Sequence, residues 1–296
     1  MRISDFYDSS AQKVVLCLGG FDSIHKGHIF LINKALSYKK EQGVAVAVTL
    51  FSYGDVLKNK SGEVFTLPER IRILEKSGVD EVIEIKFDEK FSRLTPLDFL
   101  NELADNRLIA AVVCGKDFTF GFGGNGNAQL LKDFFSEKNV QVDVLPFVTD
   151  YKGDKISTTA VKAALFGGEV KRCFEEYGVK YFVEGEVVRG RQEGRKLGFP
   201  TANIIPPKEK YPIKSGVYAC TVAIGDKQYR GIANIGNAPT FGVTDRILEC
   251  HIDGFNGDLY GKNITVYFDD RIRDIRKFDG IEELKKQLEK DLTVIR

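Results

Sequence analysis

Apolar runs and helical patterns alternate along the first half of the chain. Apolar positions recur at helical spacing at Ile29, Ile32 and Leu36, and this helix is predicted to begin at Ile29 and to end before Gly43. Repeated strand–helix units predict a parallel sheet with helices on both faces. The predicted strands are Val14–Leu18, Val44–Phe51, Val82–Phe87, Leu108–Cys114 and Val140–Phe147.

Two segments have the residues of helix starts. Thr66 to Glu69 form a capping box with a proline inside it, and the helix that they open is predicted to end at Gly78. Thr95 to Asp98 repeat this arrangement with an aspartate as the acidic residue. Further helices are predicted over Asn127–Lys138, Ser157–Phe166 and Glu169–Tyr177.

The pattern changes after Gly178, where short alternating runs are separated by turn residues. Such runs are typical of a small antiparallel sheet or barrel. A closing amphipathic helix is predicted over Asp279–Leu292. We therefore predict two domains, residues 1–180 and 181–296. The predicted strands of the second are Tyr181–Val188, Val217–Ile224, Gln228–Asn234, Leu248–Ile252 and Asn263–Phe268.

Composition narrows the class of protein. A length of 296 residues fits two domains, and a net charge of +1 argues against non-specific binding to nucleic acid. Five cysteines without a C-x-x-C pair indicate a reducing compartment, with Cys17 and Cys114 in the core. No segment reaches the roughly eighteen apolar residues of a membrane span. We expect a cytoplasmic monomer or weak homo-oligomer with small-molecule substrates and no membrane partner.

Gly19 to His28 read GGFDSIHKGH and follow the first predicted strand. The segment holds His25 and His28, two of the three histidines in the chain. Glycines let a ligand approach the backbone, and a helix N-terminus offers free N–H groups to phosphate oxygens. The histidines could be phosphate binders, general bases or metal ligands. The alternative is a pair of partly exposed structural histidines in a turn.

Two later segments also contain residues that could contact a nucleotide. Ser157, Thr158 and Thr159 open a predicted helix with Lys162 one turn inside it, which suits phosphate oxygens but also suits an ordinary N-cap. The loop from Gly115 to Asn127 contains G-x-G-x-x-G with Asp143 downstream. A dinucleotide fingerprint needs its turn directly after the strand, so we discount that motif. A glycine-rich surface loop with two packed phenylalanines remains one alternative for this segment.

The segment from Gly185 to Asn203 reads GEVVRGRQEGRKLGFPTAN. Its glycines permit tight turns beside phosphates, and its basic residues supply charge. Thr201 and Asn203 are oxygen donors two residues apart, so on a strand they would lie on one face and could contribute to a Mg²⁺ site. The alternative is a glycine-rich hairpin with a basic loop. The residues in question are Gly185, Gly190, Gly194, Gly198, Arg195 and Lys196.

The strand, GGFD, H-x-G-H and helix together resemble the nucleotidylyltransferase superfamily. That resemblance implies a Rossmann-like domain in which both histidines stabilise charge on ATP phosphates. KISTTAVKAAL resembles the superfamily's I-S-S-T-x-I-R segment, with Thr158 and Lys162 as departures. GKDFTFG resembles a loop of bacterial flavin kinase/FAD synthetases, which implies that Asp117 lies near the nucleotide. The implied nucleotide-binding residues of this domain are Gly19, Phe21, Asp117, Ser157, Thr158 and Lys162.

Two further departures lie beside the histidines. The family usually has glycine where this chain has Ser23. The family also has a T-F-x-P-x-P run after the second strand, and both prolines are absent from the run that begins at Thr49.

The segment from Gly185 to Asn203 resembles the riboflavin kinase signature. The resemblance implies that ATP contacts its glycines, Arg195, Lys196 and Pro200, and that Thr201 and Asn203 bind Mg²⁺. Glu249, in LECHI, corresponds to the family's general base for the riboflavin 5′-hydroxyl. The last family segment has Ile275 where a glutamate is common.

The whole-chain resemblance implies a bifunctional riboflavin kinase/FMN adenylyltransferase that uses ATP, riboflavin and FMN with Mg²⁺ and gives FAD. Its implied fold is a Rossmann-like parallel-sheet domain followed by a small antiparallel β-barrel with a C-terminal helix. Three alternatives remain at this level: a kinase with a weak or inactive adenylyltransferase domain, a non-catalytic flavin or nucleotide sensor, and an RNA-binding barrel.

Overall fold

The chain folds into two compact units. The structure is a computed structural model that describes residues 1–53, 62–190, 194, 198–237 and 246–295. Contacts divide it into Met1–Thr158 and Thr159–Arg296. The first unit contains a six-stranded parallel sheet and the second a six-stranded antiparallel sheet. The predicted fold class is therefore confirmed.

Within residues 1–53 and 62–157, the first unit contains a parallel sheet, five α-helices and a two-residue ladder. Its elements are β1 (Arg2–Asp5), β2 (Ser10–Leu18), α1 (Lys26–Gln42), β3 (Ala45–Ser52), α2 (Leu67–Lys76), β4 (Glu81–Lys86), α3 (Glu89–Ser92), α4 (Pro96–Asn106), β5 (Arg107–Gly115), β6 (Thr119–Phe120), β7 (Gly126–Asn127), α5 (Ala128–Ser136) and β8 (Gln141–Leu145). The sheet order is β1-β4-β3-β2-β5-β8. The chain leaves β2 for β3 on one side and returns to β5 on the other. The strand order thus reverses beside β2, where ligands bind in open α/β sheets.

The second half of β2, residues 14–18, is buried on both faces, as its apolar run predicts. Leu16 belongs to the same core cluster as Phe99 on one side of the sheet. Cys17 belongs with Ile32 to the cluster on the other side. Cys17 and Cys114 are both 0% exposed, which confirms that they are core residues.

Both predicted helix starts are present. The Thr66 N–H donates to Glu69 Oε2 at 2.8 Å, and the Asp98 N–H donates to Thr95 Oγ1 at 3.2 Å. Reciprocal bonds of this type satisfy N–H groups that the helix leaves unpaired.

The second unit is an antiparallel sheet with helices at each end of its sequence. Its elements are α6 (Thr158–Gly167), α7 (Val170–Glu175), β9 (Phe182–Glu186), β10 (Thr201–Ile204), β11 (Gly216–Ile224), β12 (Lys227–Asn237), β13 (Arg246–Ile252), β14 (Asn263–Arg273) and α8 (Ile281–Thr293). The strand order is β10-β13-β12-β11-β14-β9. A bridge between Val188 and Asn203 joins the two edges, so the sheet closes into a small barrel.

The first helix begins earlier than the apolar pattern predicted. Helix α1 starts at Lys26, so His25 is its N-cap and His28 lies in its first turn, whereas the pattern placed both histidines before the helix. Lys26, Gly27 and His28 add nothing to the apolar periodicity. The cap is also a histidine rather than one of the usual short polar residues.

Candidate active sites

The turn after β2 has a strained backbone that places two histidines at a helix start. Phe21 and Ile24 have positive φ angles of 47° and 42°, a region that side-chain-bearing residues rarely occupy. The His28 N–H donates to His25 Nδ1 at 3.3 Å. Because Nδ1 of His25 accepts this bond, the proton of the neutral ring is on Nε2, where it can be donated to a ligand.

The two imidazoles are stacked; His25 is buried, and His28 is half-buried with its Nδ1 shielded from solvent. Their ring centroids are 3.8 Å apart with an interplanar angle of 10°, and the Phe21 ring lies 4.9 Å from His28. Burial lowers the pKa of His25 to about 4 and holds the pKa of His28 well below its ordinary value. Both rings are therefore neutral at pH 7.

The glycines of this turn are required by packing. A Cβ on Gly19 would lie 2.9 Å from the Phe21 ring, and one on Gly27 would lie 3.0 Å from the His25 ring. Phe21 is 0% exposed, so its side chain supports His28 and only its backbone could reach a nucleotide.

The Ser157–Thr158 segment lies against the histidine turn. Ser23 Oγ is 3.1 Å from Thr158 Oγ1. Lys155 forms an ion pair with Asp117, and charges on both residues act on the pKa of His25. The fold thus brings Thr158 into contact with Ser23 of the histidine turn, and Asp117 close enough to act on His25. Ser157 is the residue before Thr158. Lys162 belongs to the second unit, where its ammonium lies 5.3 Å from the centre of the Tyr211 ring.

The glycine-rich loop is not a dinucleotide fingerprint. Strand β5 ends at Gly115, well before Gly121, and Asp143 accepts a hydrogen bond from the Tyr38 hydroxyl at 2.8 Å. The ring centroids of Phe120 and Phe99 are 5.1 Å apart in the core. The interpretation that G-x-G-x-x-G is not a dinucleotide fingerprint is therefore confirmed.

Three polar side chains form a row across the barrel of the second unit. Glu249 on β13 is directly opposite Asn203 on β10 and Asn234 on β12. Thr201 is opposite His251, two residues along both strands, so Thr201 and Asn203 share the face of Glu249 as their spacing predicted. His251 contacts the Pro200 carbonyl through Nδ1 at 3.0 Å.

Sequence reasoning did not single out Asn234. Its amide oxygen and that of Asn203 are buried without a hydrogen-bond partner in the part of the chain that the structure describes. An unpaired buried acceptor costs free energy unless a ligand or ion satisfies it. The available signal was a lone amide between the apolar residues Ala233 and Ile235.

The glycines of the second motif fit closely around this row. A Cβ on Gly190 would lie 2.7 Å from the Asn203 amide, and one on Gly185 would lie 2.6 Å from the Ile204 side chain. A Cβ on Gly194 would lie 2.4 Å from the Phe199 carbonyl oxygen, and Gly198 has φ +85°. Arg195 and Lys196, also predicted to bind the nucleotide, lie outside the described residues.

A cavity of about 560 Å³ opens beside Thr201 and Asn203. Its volume lies within the usual range for small-molecule sites. One wall is residues 200–203 and the other is the segment 255–260. The two predicted metal ligands therefore line this cavity.

Comparison with known proteins matches both halves of the chain. The family model of FAD synthetases matches residues 7–160, and that of riboflavin kinases matches residues 177–296. These matches define a two-part transferase that acts on flavins. Among the residues that the structure describes, no helix has both the length and the apolar character needed to cross a membrane.

Curated relatives extend over almost the entire chain. The bifunctional riboflavin kinase/FMN adenylyltransferase of Bacillus subtilis is 33% identical, over 94% of this chain and 90% of that protein. The Escherichia coli protein of the same name is 33% identical, over 98% and 94%. A crystal structure described as a macrolide-efflux protein from Streptococcus pneumoniae matches with a TM-score of 0.90 at 32% identity, over 100% of this chain and 99% of that chain.

The chain belongs to the family of bifunctional riboflavin kinase/FMN adenylyltransferases. It is an enzyme that phosphorylates riboflavin to FMN and transfers AMP to FMN, which gives FAD and pyrophosphate. The activity predicted from the sequence is therefore confirmed.

Proposed function

We propose that adenylyl transfer takes place at the turn after β2. This proposal rests on the two stacked, neutral imidazoles at the N-terminus of α1. Neutral rings donate N–H hydrogen bonds to the α-phosphoryl oxygens and to the leaving pyrophosphate as charge accumulates there. The helix start adds free N–H groups and the positive end of its dipole.

The remaining nucleotide contacts of this site are assigned as follows. The hydroxyls of Ser157 and Thr158 donate to phosphate oxygens, and Lys162 supplies a cation. Gly19 and Phe21 contact the nucleotide through their backbone. Asp117 lies beside the histidines and contacts the nucleotide at the edge of the site.

We propose that Glu249 is the general base of the kinase reaction. It is half-buried in the row between Asn203 and Asn234, where a carboxylate can take the proton of the riboflavin 5′-hydroxyl as the bond to phosphorus forms. ATP occupies the cavity beside Pro200 and Thr201. Arg195 and Lys196 are assigned to the same nucleotide from the sequence motif alone.

Thr201 and Asn203 suit a Mg²⁺ ion that accompanies ATP. Asn203 Oδ1 is a buried oxygen without a partner among the described residues, and neutral oxygens of this kind are ligands for hard divalent cations. Both families use ATP and a divalent metal. The ion supplies positive charge that neutralises phosphate oxygens during transfer. The protein holds the side-chain oxygens of Thr201 and Asn203 on one face of the strand.

We also propose that residues 1–180 and 181–296 are the two functional domains. The family matches support this boundary, since one ends at residue 160 and the other begins at residue 177. Five cysteines present as free thiols are in keeping with a cytoplasmic location.

Product analysis of two variants tests the assignment of one reaction to each site. With riboflavin, ATP and Mg²⁺, Glu249→Gln should lose FMN formation by about 10²–10⁴-fold, because a general base typically contributes that factor. The same variant supplied with FMN should still form FAD. His28→Asn should show the reverse, with FAD formation lowered about 10²–10³-fold, the loss typical of one transition-state donor. Loss of FAD formation from FMN in Glu249→Gln would contradict the assignment.

A further inference from the structure

Ser23 places a buried hydroxyl between the histidine turn and the phosphate-binding segment. Its side chain is 0% exposed, and its Oγ is 3.1 Å from Thr158 Oγ1 although the residues are 135 positions apart in the chain. The next residue, Ile24, has positive φ, and His25 follows as the cap of α1. Ser23 is therefore fixed by its surroundings, while Thr158 is partly exposed.

The direction of this hydrogen bond matters for phosphate binding. A hydroxyl has one proton to donate and can accept further bonds. A phosphate oxygen without a proton only accepts. When Thr158 donates to such an oxygen, its proton is committed, and the bond between the two hydroxyls can persist only if Ser23 donates to Thr158.

We propose that Ser23 is a positioning residue for adenylyl transfer, which donates to Thr158 Oγ1 and thereby directs the Thr158 proton to the triphosphate of ATP. The bond from Ser23 also polarises the Thr158 hydroxyl, since hydrogen bonds in a chain strengthen one another. The inference rests on the proposed role of Thr158 and extends it to a residue that does not reach the ligand.

A double-mutant cycle tests the proposal. The variants are Ser23→Ala, Thr158→Val and their combination, assayed for FAD formation from FMN and ATP. Ser23→Ala should lower kcat/KM for ATP about five-fold, the factor expected for one hydrogen bond, and leave KM for FMN unchanged. In the Thr158→Val background the same change should have no further effect, because the hydroxyl that Ser23 orients is gone.

A conservative variant separates positioning from packing. Ser23→Cys fills the space of the hydroxyl with a much weaker donor. A packing role predicts full recovery of kcat/KM in this variant, whereas the positioning role predicts only partial recovery. The urea midpoints of both Ser23 variants should match that of the wild type. If Ser23→Ala does not fold, Ser23→Cys takes its place in the double-mutant cycle.

The outcomes distinguish the inference from the function on which it rests. Wild-type kinetics in Ser23→Ala, together with an impaired Thr158→Val, would overturn the role of Ser23 alone. Independent, multiplying effects of the two substitutions would overturn it as well. Full adenylyl transfer in Thr158→Val would remove the proposed role of Thr158, and the inference with it.

Discussion

His25 and His28 are residues whose charge is set by burial. In the unfolded chain an imidazole has a pKa near 6.5, whereas burial lowers the pKa of His25 to about 4 and that of His28 well below its ordinary value. Lys155 lowers the pKa of His25 further through its charge, while Asp117 and Asp22 act in the opposite direction. The ligand-free site is therefore prepared to donate hydrogen bonds without carrying a charge.

These shifts predict a loss of stability on acidification. Between pH 6.5 and about 4 the unfolded chain binds protons at His25 and His28 that the folded chain does not, so the free energy of unfolding falls as pH is lowered through this window. Above pH 6.5 this contribution is constant. Each histidine should add a slope of up to about 1.4 kcal/mol per pH unit.

Urea unfolding followed by circular dichroism at pH 7.0 and 5.5 measures this slope. The double variant His25→Asn/His28→Asn should have a shallower dependence on pH than the wild type. His251→Asn, on the outer face of the barrel, is the matched control and should leave the dependence in place. Equal slopes in the double variant and the wild type would show that the burial argument is wrong.

At this scale the sequence could identify residue types but not their environments. His25, His28 and Glu249 stand in recognisable motifs, and their positions at a strand end and in a strand are as expected. The neutrality of the histidines and the unpaired oxygen of Asn234 depend on side chains distant in the sequence, such as Phe21 packing against His28. No local pattern contains that information.

At the scale of elements, Arg273 in β14 and Asp291 in α8 attach the last helix to the barrel. Arg273 Nη2 donates to Asp291 Oδ2 at 2.7 Å, and Gln287 donates to Oδ1 at 2.6 Å. Asp291 is 1% exposed. Leu292 and Ile295 share a core cluster with Val217, which is directly opposite Asn234. The helix end therefore packs on the same barrel face as the row that contains Glu249.

Asp291→Ala should destabilise the second unit. The variant leaves the Arg273 guanidinium, whose side chain is 19% exposed, without its ion-pair partner. The cost should fall between the roughly 0–1 kcal/mol of an exposed pair and the about 3–5 kcal/mol of breaking a fully buried one. We expect a lower urea midpoint and a slower riboflavin kinase reaction, while the same protein retains adenylyl transfer. Glu283→Gln is the control, because its pair with Arg276 is nearly half exposed on both sides and should be worth less than about 1 kcal/mol. A midpoint for Asp291→Ala equal to that of the control would contradict the prediction.

Strands that are buried on both faces were predicted from the sequence, whereas short strands with mixed positions were not. The central strands β2, β3 and β5 are buried on both faces and appear in the sequence as apolar runs. Strands β1 and β10 have four residues each and mix polar with apolar positions, so neither was predicted as a strand. Closure of the barrel depends on pairing between Val188 and Asn203, a long-range contact that no local pattern contains.

At the scale of the whole molecule, the two reactions are assigned to different units. The histidine turn lies in Met1–Thr158, and the row around Glu249 lies in Thr159–Arg296. The product of the kinase reaction, FMN, is the substrate of the adenylyl transfer. Each unit has its own sheet and core, so damage to one catalytic group should leave the other reaction intact.

This separation predicts that two inactive variants complement each other. Glu249→Gln alone should form no FAD from riboflavin, because it makes no FMN, and His28→Asn alone should stop at FMN. A mixture of the two proteins should convert riboflavin to FAD, since FMN released by the His28→Asn protein can enter the intact adenylyltransferase site of the other. Chromatographic separation of riboflavin, FMN and FAD over time measures this, with an early accumulation of FMN expected before FAD appears. Absence of FAD from the mixture, although each protein keeps its single activity, would show that the kinase site of the His28→Asn protein does not release FMN.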